Sequence, residues 1–395
     1  SGAKLAGLRA GERGRDLVVT LVEPLTASDQ LLVEGVSDRA GRPNLMASAR
    51  VPVELTAWPG TGEGLVFAYR TDGAAPAVRD VDSGHERTFS VVPHGRSRYD
   101  AYGALRVAGG WFEVEDLPER LAAAFRESNA FTLEATVWPE LERTEDPARI
   151  VSFAYDAKSQ NLSLSQDGSD AVLRVRVTKD GGKDQAAVEF GHLLPDMPNH
   201  LLVTYRPGRL VAYQNGQRVL DTDGIQGDLS DWRDEVSLAL GADPAGGGRN
   251  FAGRIEGVAL STRFFEPTEA AEHANAYLHE IGEREPVPRL RMQARLVASS
   301  VLPTPEQILP YREALVVNEY EVPEKRRERI GAERVRVAHW AVLDGRAQPV
   351  PNASAAGPVW LELEPWERHP RLESTYLSDT LDVDPEIPLY VDAGA

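Results

Sequence analysis

An all-β fold follows from three observations on this 395-residue chain. Residues 200–221, HLLVTYRPGRLVAYQNGQRVLD, set three β-favouring runs around two turn signals, Pro207-Gly208 and Asn215-Gly216. Asn-Gly accepts the positive φ angles of a type I′ hairpin, so the stretch predicts a three-stranded antiparallel meander. From Leu65 to Leu278, short apolar runs recur between turn residues at the spacing of a β-sandwich. Five further strand-like runs follow a Pro-rich link at 285–289.

In chain order, residues 16–26 and 30–44 hold two β-rich runs, the second closing on the turn Asp38-Arg39-Ala40-Gly41. Two or three strands cannot close a sandwich by themselves, so this segment either completes a domain begun upstream or packs on its neighbour. The sandwich strands are expected at 65–69, 87–92, 104–107, 111–114, 131–138, 150–155, 162–165, 172–177, 186–190, the meander, 236–240 and 253–261. Two helices interrupt them, at 117–127 with Pro118 near the start and at 267–281 opened by Glu266-Pro267. The last strands fall at 291–300, 314–322, 334–345, 359–366 and 388–393, a number that suits a small barrel or a small sandwich. The expected division is 1–58, 59–284 and 285–395.

Charge and composition remove several functions. Forty-three Lys and Arg against 61 Asp and Glu give −18, a field that repels phosphate backbones and anionic lipid, so nucleic acid is not an expected partner. No stretch reaches the roughly 18 apolar residues of a membrane-spanning helix. The opening SGAKLAGL has neither an initiating Met nor a signal-peptide core, so a processed, trimmed or cloned chain is expected. With no cysteine, disulfides, thiolate catalysis, zinc–thiolate sites and iron–sulfur clusters are excluded.

The meander resembles the signature hairpins of laminin G-like domains in the concanavalin A-like jelly roll. Further segments fit the same pattern in order: FTLEATVWP at 131–139, RIVSF at 149–153, SLALGAD at 237–243, and FAGRIEGVALSTRFFEPTEA at 251–270. The segment GVSDRAGRP at 35–43 is similar to the closing strand of bacterial Ig-like modules, with Arg42 where Asn is usual. The tail resembles OB-like secreted modules of the netrin type, with an Ig-like sandwich as the alternative. The fold expected is therefore all-β: a central concanavalin A-like jelly roll between an N-terminal Ig-like fragment and a small C-terminal β domain.

Chemistry-bearing patterns are sparse. The glucanase branch of the jelly roll needs acidic residues alternating on one strand face. Glu362 and Glu364 share a strand face in this way, but they lie in the tail, outside the jelly roll, and read as a solvated strand face. The resemblance admits Ca²⁺ on loop oxygens, with Asp221, Asp223, Asp228 and Asp243 as ligand candidates and Asp80 and Asp82 in an early loop. Turn-forming aspartates are the plainer account. The eight histidines form no HxH or HExxH spacing; His273 and His279 do not share a helix face, and His200, His339 and His369 read as structural. Gly246-Gly247-Gly248 lacks the Lys and Ser or Thr of a phosphate loop. Sugars stack on aromatic rings while polar neighbours bind their hydroxyls, which singles out Trp232, Arg233, Asp243, Arg249 and Asn250 as glycan-binding candidates. Core packing is the favoured role for Trp232, and also for Trp340, Trp360 and Trp366.

The function expected is a non-catalytic exported module that binds a glycan or packs on a protein partner, in the periplasm or outside the cell. No organic cofactor is expected, and calcium is the one ion the resemblance admits. One alternative is an accessory subunit of a larger assembly, since similar modules accompany cytochrome or dehydrogenase domains in large exported bacterial proteins. Another is a glycoside hydrolase of the same fold.

Overall fold

The computed structural model describes residues 64–71, 89–179, 182–244, 249–351 and 357–394, with short stretches at 5–10, 17–21, 29–34, 48–53, 58–59, 78–79 and 86–87. In the N-terminal part, Leu5–Ala10 pairs with Leu17–Leu21 and Asp29–Val33 with Ala49–Val53, both antiparallel. The turn at 35–43, Asp80, Asp82 and the Gly246–Gly248 run lie outside the described residues.

Two antiparallel sheets form the sandwich. The first contains β1 (Leu65–Arg70), β3 (Arg98–Tyr99), β4 (Leu105–Val107), β6 (Phe131–Pro139), β11 (Asn199–Arg206), β12 (Arg209–Gln214), β13 (Gln217–Thr222) and β15 (Gly253–Ser261). Its order is β13-β12-β11-β6-β15-β4-β3, with β1 also on β15. The second contains β2 (Ser90–Gly95), β5 (Gly110–Glu115), β7 (Ala148–Ala154), β8 (Gln160–Asp167), β9 (Asp170–Lys179), β10 (Gly182–His192) and β14 (Ser237–Leu240), in the order β10-β9-β8-β7-β14-β5-β2. The meander forms as expected, with Asn215 and Gly216 at φ of 50° and 75°. Between the sheets Phe112, Phe131, Phe153, Tyr205 and Trp232 are buried in one apolar core. Each such side chain contributes about 1.5–3 kcal/mol on leaving water.

Helix α1 spans Leu121–Ser128, four residues later than the sequence predicts. Pro118 bars the preceding residue from helical angles, and residues 118–121 make a turn in which the Leu121 N–H donates to the Pro118 carbonyl at 3.0 Å. Helix α2 spans Pro267–Gly282 and opens on a capping box between Glu266 and Glu269. Among the described residues no helix is long and apolar enough to cross a membrane.

The C-terminal strands are β16 (Leu290–Ser299), β17 (Ala314–Glu321), β18 (Arg334–Leu343), β19 (Arg346–Ala347), β20 (Val359–Pro365), β21 (Tyr376–Ser378) and β22 (Leu389–Asp392). Helix α3, Glu324–Ile330, joins β17 to β18. The sequence β18-β22-β20-β16-β17 closes because β17 also pairs with β18, and β18 runs parallel to β22. That is a small closed five-strand barrel, the OB-like alternative of the two expected for the tail. Leu290, Met292, Leu361 and Leu363 fill its interior.

Candidate functional site

The residues singled out for glycan binding do not assemble into a platform. Trp232 is 2% exposed, ringed by Phe125, Phe131 and Phe153 at centroid distances of 5.1, 5.9 and 6.0 Å, and its indole N–H donates to the Arg176 carbonyl. It is core, because its loop folds back under α1. Asp243 is fully buried and takes the Arg149 guanidinium at 2.9 Å on one carboxylate oxygen, which ties it to β7. Asn250 donates to the Gly110 carbonyl at 2.6 Å. Arg249 is exposed at φ 58°, its carbonyl accepting from the Arg149 N–H. Arg233 is exposed, its backbone held on both sides by the Asn161 amide.

The calcium candidates are likewise apart. Asp221 accepts from Arg209 and Arg218, Asp228 caps its own turn at Ser230, and Asp223 is exposed with its carbonyl accepting from Gln226. Among the described residues no three His, Asp or Glu side chains gather as a cation would require.

A carboxylate that the sequence reading passed over sits beneath α2. Glu134, on β6, is 1% exposed; it accepts from the Trp58 indole N–H at 2.9 Å and lies 2.9 Å from His273 and 3.3 Å from His200. Burial alone would raise its pKa. The hydrogen bonds and charges of the two histidines outweigh that and hold it at about 2. Trp58 in turn stacks on Tyr277 of α2 at 4.3 Å, over Gly257, where a Cβ would come within 2.7 Å of both rings' atoms. This cluster is closed: it fastens the cap helix to the sheet.

The open feature lies where sandwich meets barrel. Arg98, Tyr99 and Asp100 of the sandwich face Glu313, Trp340 and Arg371 of the barrel across a cavity of about 220 Å³. A second hollow of about 340 Å³ adjoins it, sharing Glu313, Ser374 and Thr375 and reaching Val92, Tyr311 and Asp344. The loop after β3 is shaped by Asp100, whose Oδ1 accepts from the Tyr102 and Ala104 N–H groups at 2.9 and 2.8 Å. On the barrel side, short helical turns at Trp366–Arg368 and Pro370–Ser374 present Arg371, whose guanidinium lies 4.5 Å over the Tyr99 ring.

Direct bonds fix the two walls. The Ala393 carbonyl accepts from Arg98 and Arg106 at 3.2 and 3.3 Å, the Gly95 N–H donates to Asp344 at 3.0 Å, and the Tyr102 hydroxyl donates to the Glu285 carbonyl at 3.0 Å. The cleft perturbs its ionisable groups. Burial, with Asp344 beside it, pushes the Glu313 carboxyl up to about 7 against the pull of Arg312. Burial also raises Tyr99 to about 12 and, with Arg106 nearby, lowers Arg98 to about 10. Near neutral pH Glu313 can therefore donate or accept a proton, beside two guanidinium groups, two hydroxyls and two aromatic rings.

Two tail expectations need correction. Glu364 is 4% exposed, bound by Arg289 at 2.5 Å and by His369 at 2.9 Å, so it is an ion-paired anchor for the linker and not a solvated face. Trp360, expected in the barrel core, is 62% exposed, because the alternation of β20 sends Leu361 and Leu363 inward. Trp340 is buried as expected. His200, His339 and His369 are buried against Glu134, Asp392 and Glu364.

The family comparison agrees with this architecture. Residues 115–271 match the family Laminin_G_3, described as the concanavalin A-like lectin/glucanases superfamily. No curated protein matches the chain. Among solved structures, domain 4 of AbnA, a GH43 extracellular arabinanase from Geobacillus stearothermophilus in complex with arabinotriose, is 17% identical; 53% of this chain and 98% of that one are covered at TM-score 0.36. A Trypanosoma rangeli sialidase in complex with the inhibitor DANA is 15% identical, with 53% and 32% covered and TM-score 0.36, so this chain spans about a third of its length. The W1252A mutant of HCR D/C VPI 5995 is 9% identical, with 76% and 81% covered and TM-score 0.39. The central sandwich of this chain thus has a two-sheet jelly-roll topology, and residues 115–271 match the laminin G-like model of the concanavalin A-like superfamily.

Proposed function

We propose that this chain is a non-catalytic binding module whose ligand site is the cleft between jelly roll and barrel, and that the ligand is a carbohydrate. The observation that carries the proposal is the Glu313 pocket: a carboxyl raised to about 7, walled by Tyr99, Arg371 and Trp340. Such a pocket offers donors, acceptors and ring faces together, which is what a polyhydroxylated ring needs. The lectin character of the matched superfamily supports the same class of ligand, and the family resemblance supports an exported setting, periplasmic or extracellular. Screening the full chain against an array of neutral glycans, with and without EDTA, tests this. Arg371→Ala is expected to abolish the signal on those neutral glycans, and binding unchanged in that variant would sink the cleft as the site.

A hydrolase is the second reading, favoured by the raised Glu313 pKa, which suits a general acid. It requires that Glu313→Gln lose hydrolysis of a glycan the wild type cleaves while still binding it. Absence of reducing-end release by the wild type on every glycan it binds would remove this alternative.

A further inference from the structure

We propose that the barrel carries a second site, separate from the interdomain cleft, for an acidic oligosaccharide such as a short polyuronate. The site is a groove of about 550 Å³ floored by β16 and walled by α3. On β16, burial alternates so that Arg291, Gln293 and Arg295 face out, and Gln293 sits directly across from Trp360 on β20. A tryptophan 62% exposed on a sheet face, with the Arg291 guanidinium 5.2 Å from its ring centre, is a ready stacking surface for the apolar face of a sugar.

Charge selects the kind of sugar. Five cationic side chains line the groove, Arg291, Arg295, Lys325, Arg326 and Arg327, against Glu321 and Glu324. Glu321 engages Arg295 at 2.5 Å and Arg327 at 3.6 Å. Among the described residues Arg291, Lys325 and Arg326 have no carboxylate partner, so the groove holds a local positive excess on a chain whose net charge is −18. Arginine forks match carboxylate geometry, and a stacked ring next to them places a uronate carboxylate within their reach. The occupant is thus a carboxylated sugar chain, ring on Trp360 and carboxylates on Arg291, Lys325 and Arg326.

Calorimetric titration of the full chain with trigalacturonate, cellotriose and a short oligothymidylate provides the test. Trigalacturonate is expected to bind, cellotriose to bind at least about tenfold more weakly, and affinity to fall as NaCl rises. Trp360→Ala should weaken trigalacturonate by about tenfold or more, Trp360→Phe should restore most of it, and Arg291→Gln with Arg326→Gln should bring the remaining affinity down to that for cellotriose. Because Trp360 is exposed, its replacement is expected to leave the melting temperature in place, and Arg371→Ala in the other cleft should leave trigalacturonate binding intact. The proposal is overturned if trigalacturonate fails to bind, if Trp360→Ala binds it as the wild type does, if Arg371→Ala removes the binding, or if the oligothymidylate binds more tightly.

Discussion

Glu134, fully buried, and Glu313, partly buried, are two carboxyls that their surroundings drive in opposite directions, to about 2 and about 7. Glu134 has two histidines and an indole N–H around it and is sealed beneath a helix. Glu313 has Asp344 beside it, and Arg312, which pulls its pKa the other way, is itself bound to Asp344. Desolvation acts on both, and what differs is compensation: a satisfied buried charge is structural, whereas an uncompensated one at an opening remains free to exchange a proton. The contrast puts the sealed carboxyl inside the jelly roll and the open one at the seam between the two domains.

Breaking the sealed side should have the largest effect. Glu134→Gln removes the charge the two histidines share and is expected to cost about 3 kcal/mol, read as a drop in melting temperature of roughly 6–12 °C. A melting temperature within two degrees, roughly, of the wild type would refute its anchoring role. Because its folded pKa is depressed below the unfolded value, this stabilisation is present above about pH 4.5 and is lost as pH falls toward 2.

Glu313→Gln should act with the opposite sign and a smaller size. A raised carboxyl pKa means stability that is full below about pH 4.5 and lost as pH rises through 7. The variant should therefore match the wild type near pH 4 and exceed it by about 2 kcal/mol at pH 8, after allowance for partial exposure. Parallel denaturant curves for the two proteins across that range would contradict an uncompensated Glu313. The smallest effect on stability is expected from Arg371→Lys, within about 0.5 kcal/mol, since only a surface stack on Tyr99 is lost. Its expected consequence is on ligand affinity in the cleft, and a large loss of stability would instead make Arg371 a domain clamp.

Much of the sandwich could be read from sequence because its signals are local: Asn215-Gly216 fixes a hairpin within four residues, and each strand is bounded by its own turns. Trp232 lies in the core, the role its sequence context favours. Glu134 left a trace, an ionisable residue inside the apolar run FTLEATVWP, but its partners His200 and His273 stand 66 and 139 positions later and only the fold unites them. For Trp360 the needed signal was present in full. It stands two and four residues before Glu362 and Glu364, so a strand period of two puts all three on one face, and assigning the Trp inward and the acids outward contradicts that period. The interdomain cleft left no trace at all, being made where residues 98–100 meet 313, 340 and 371 with no motif joining them.

The bonds from Arg98 and Arg106 to the Ala393 carbonyl also set a timetable. During synthesis the jelly roll can complete its pairings once Ser261 has emerged, but the barrel cannot close until Leu389–Asp392 insert between β18 and β20. The partners of Arg98 thus arrive almost 300 residues after it, among the most distant contacts in the chain and so among the slowest to find by chain diffusion. Until those residues arrive, a nascent chain would carry an assembled jelly roll facing a half-built barrel wall.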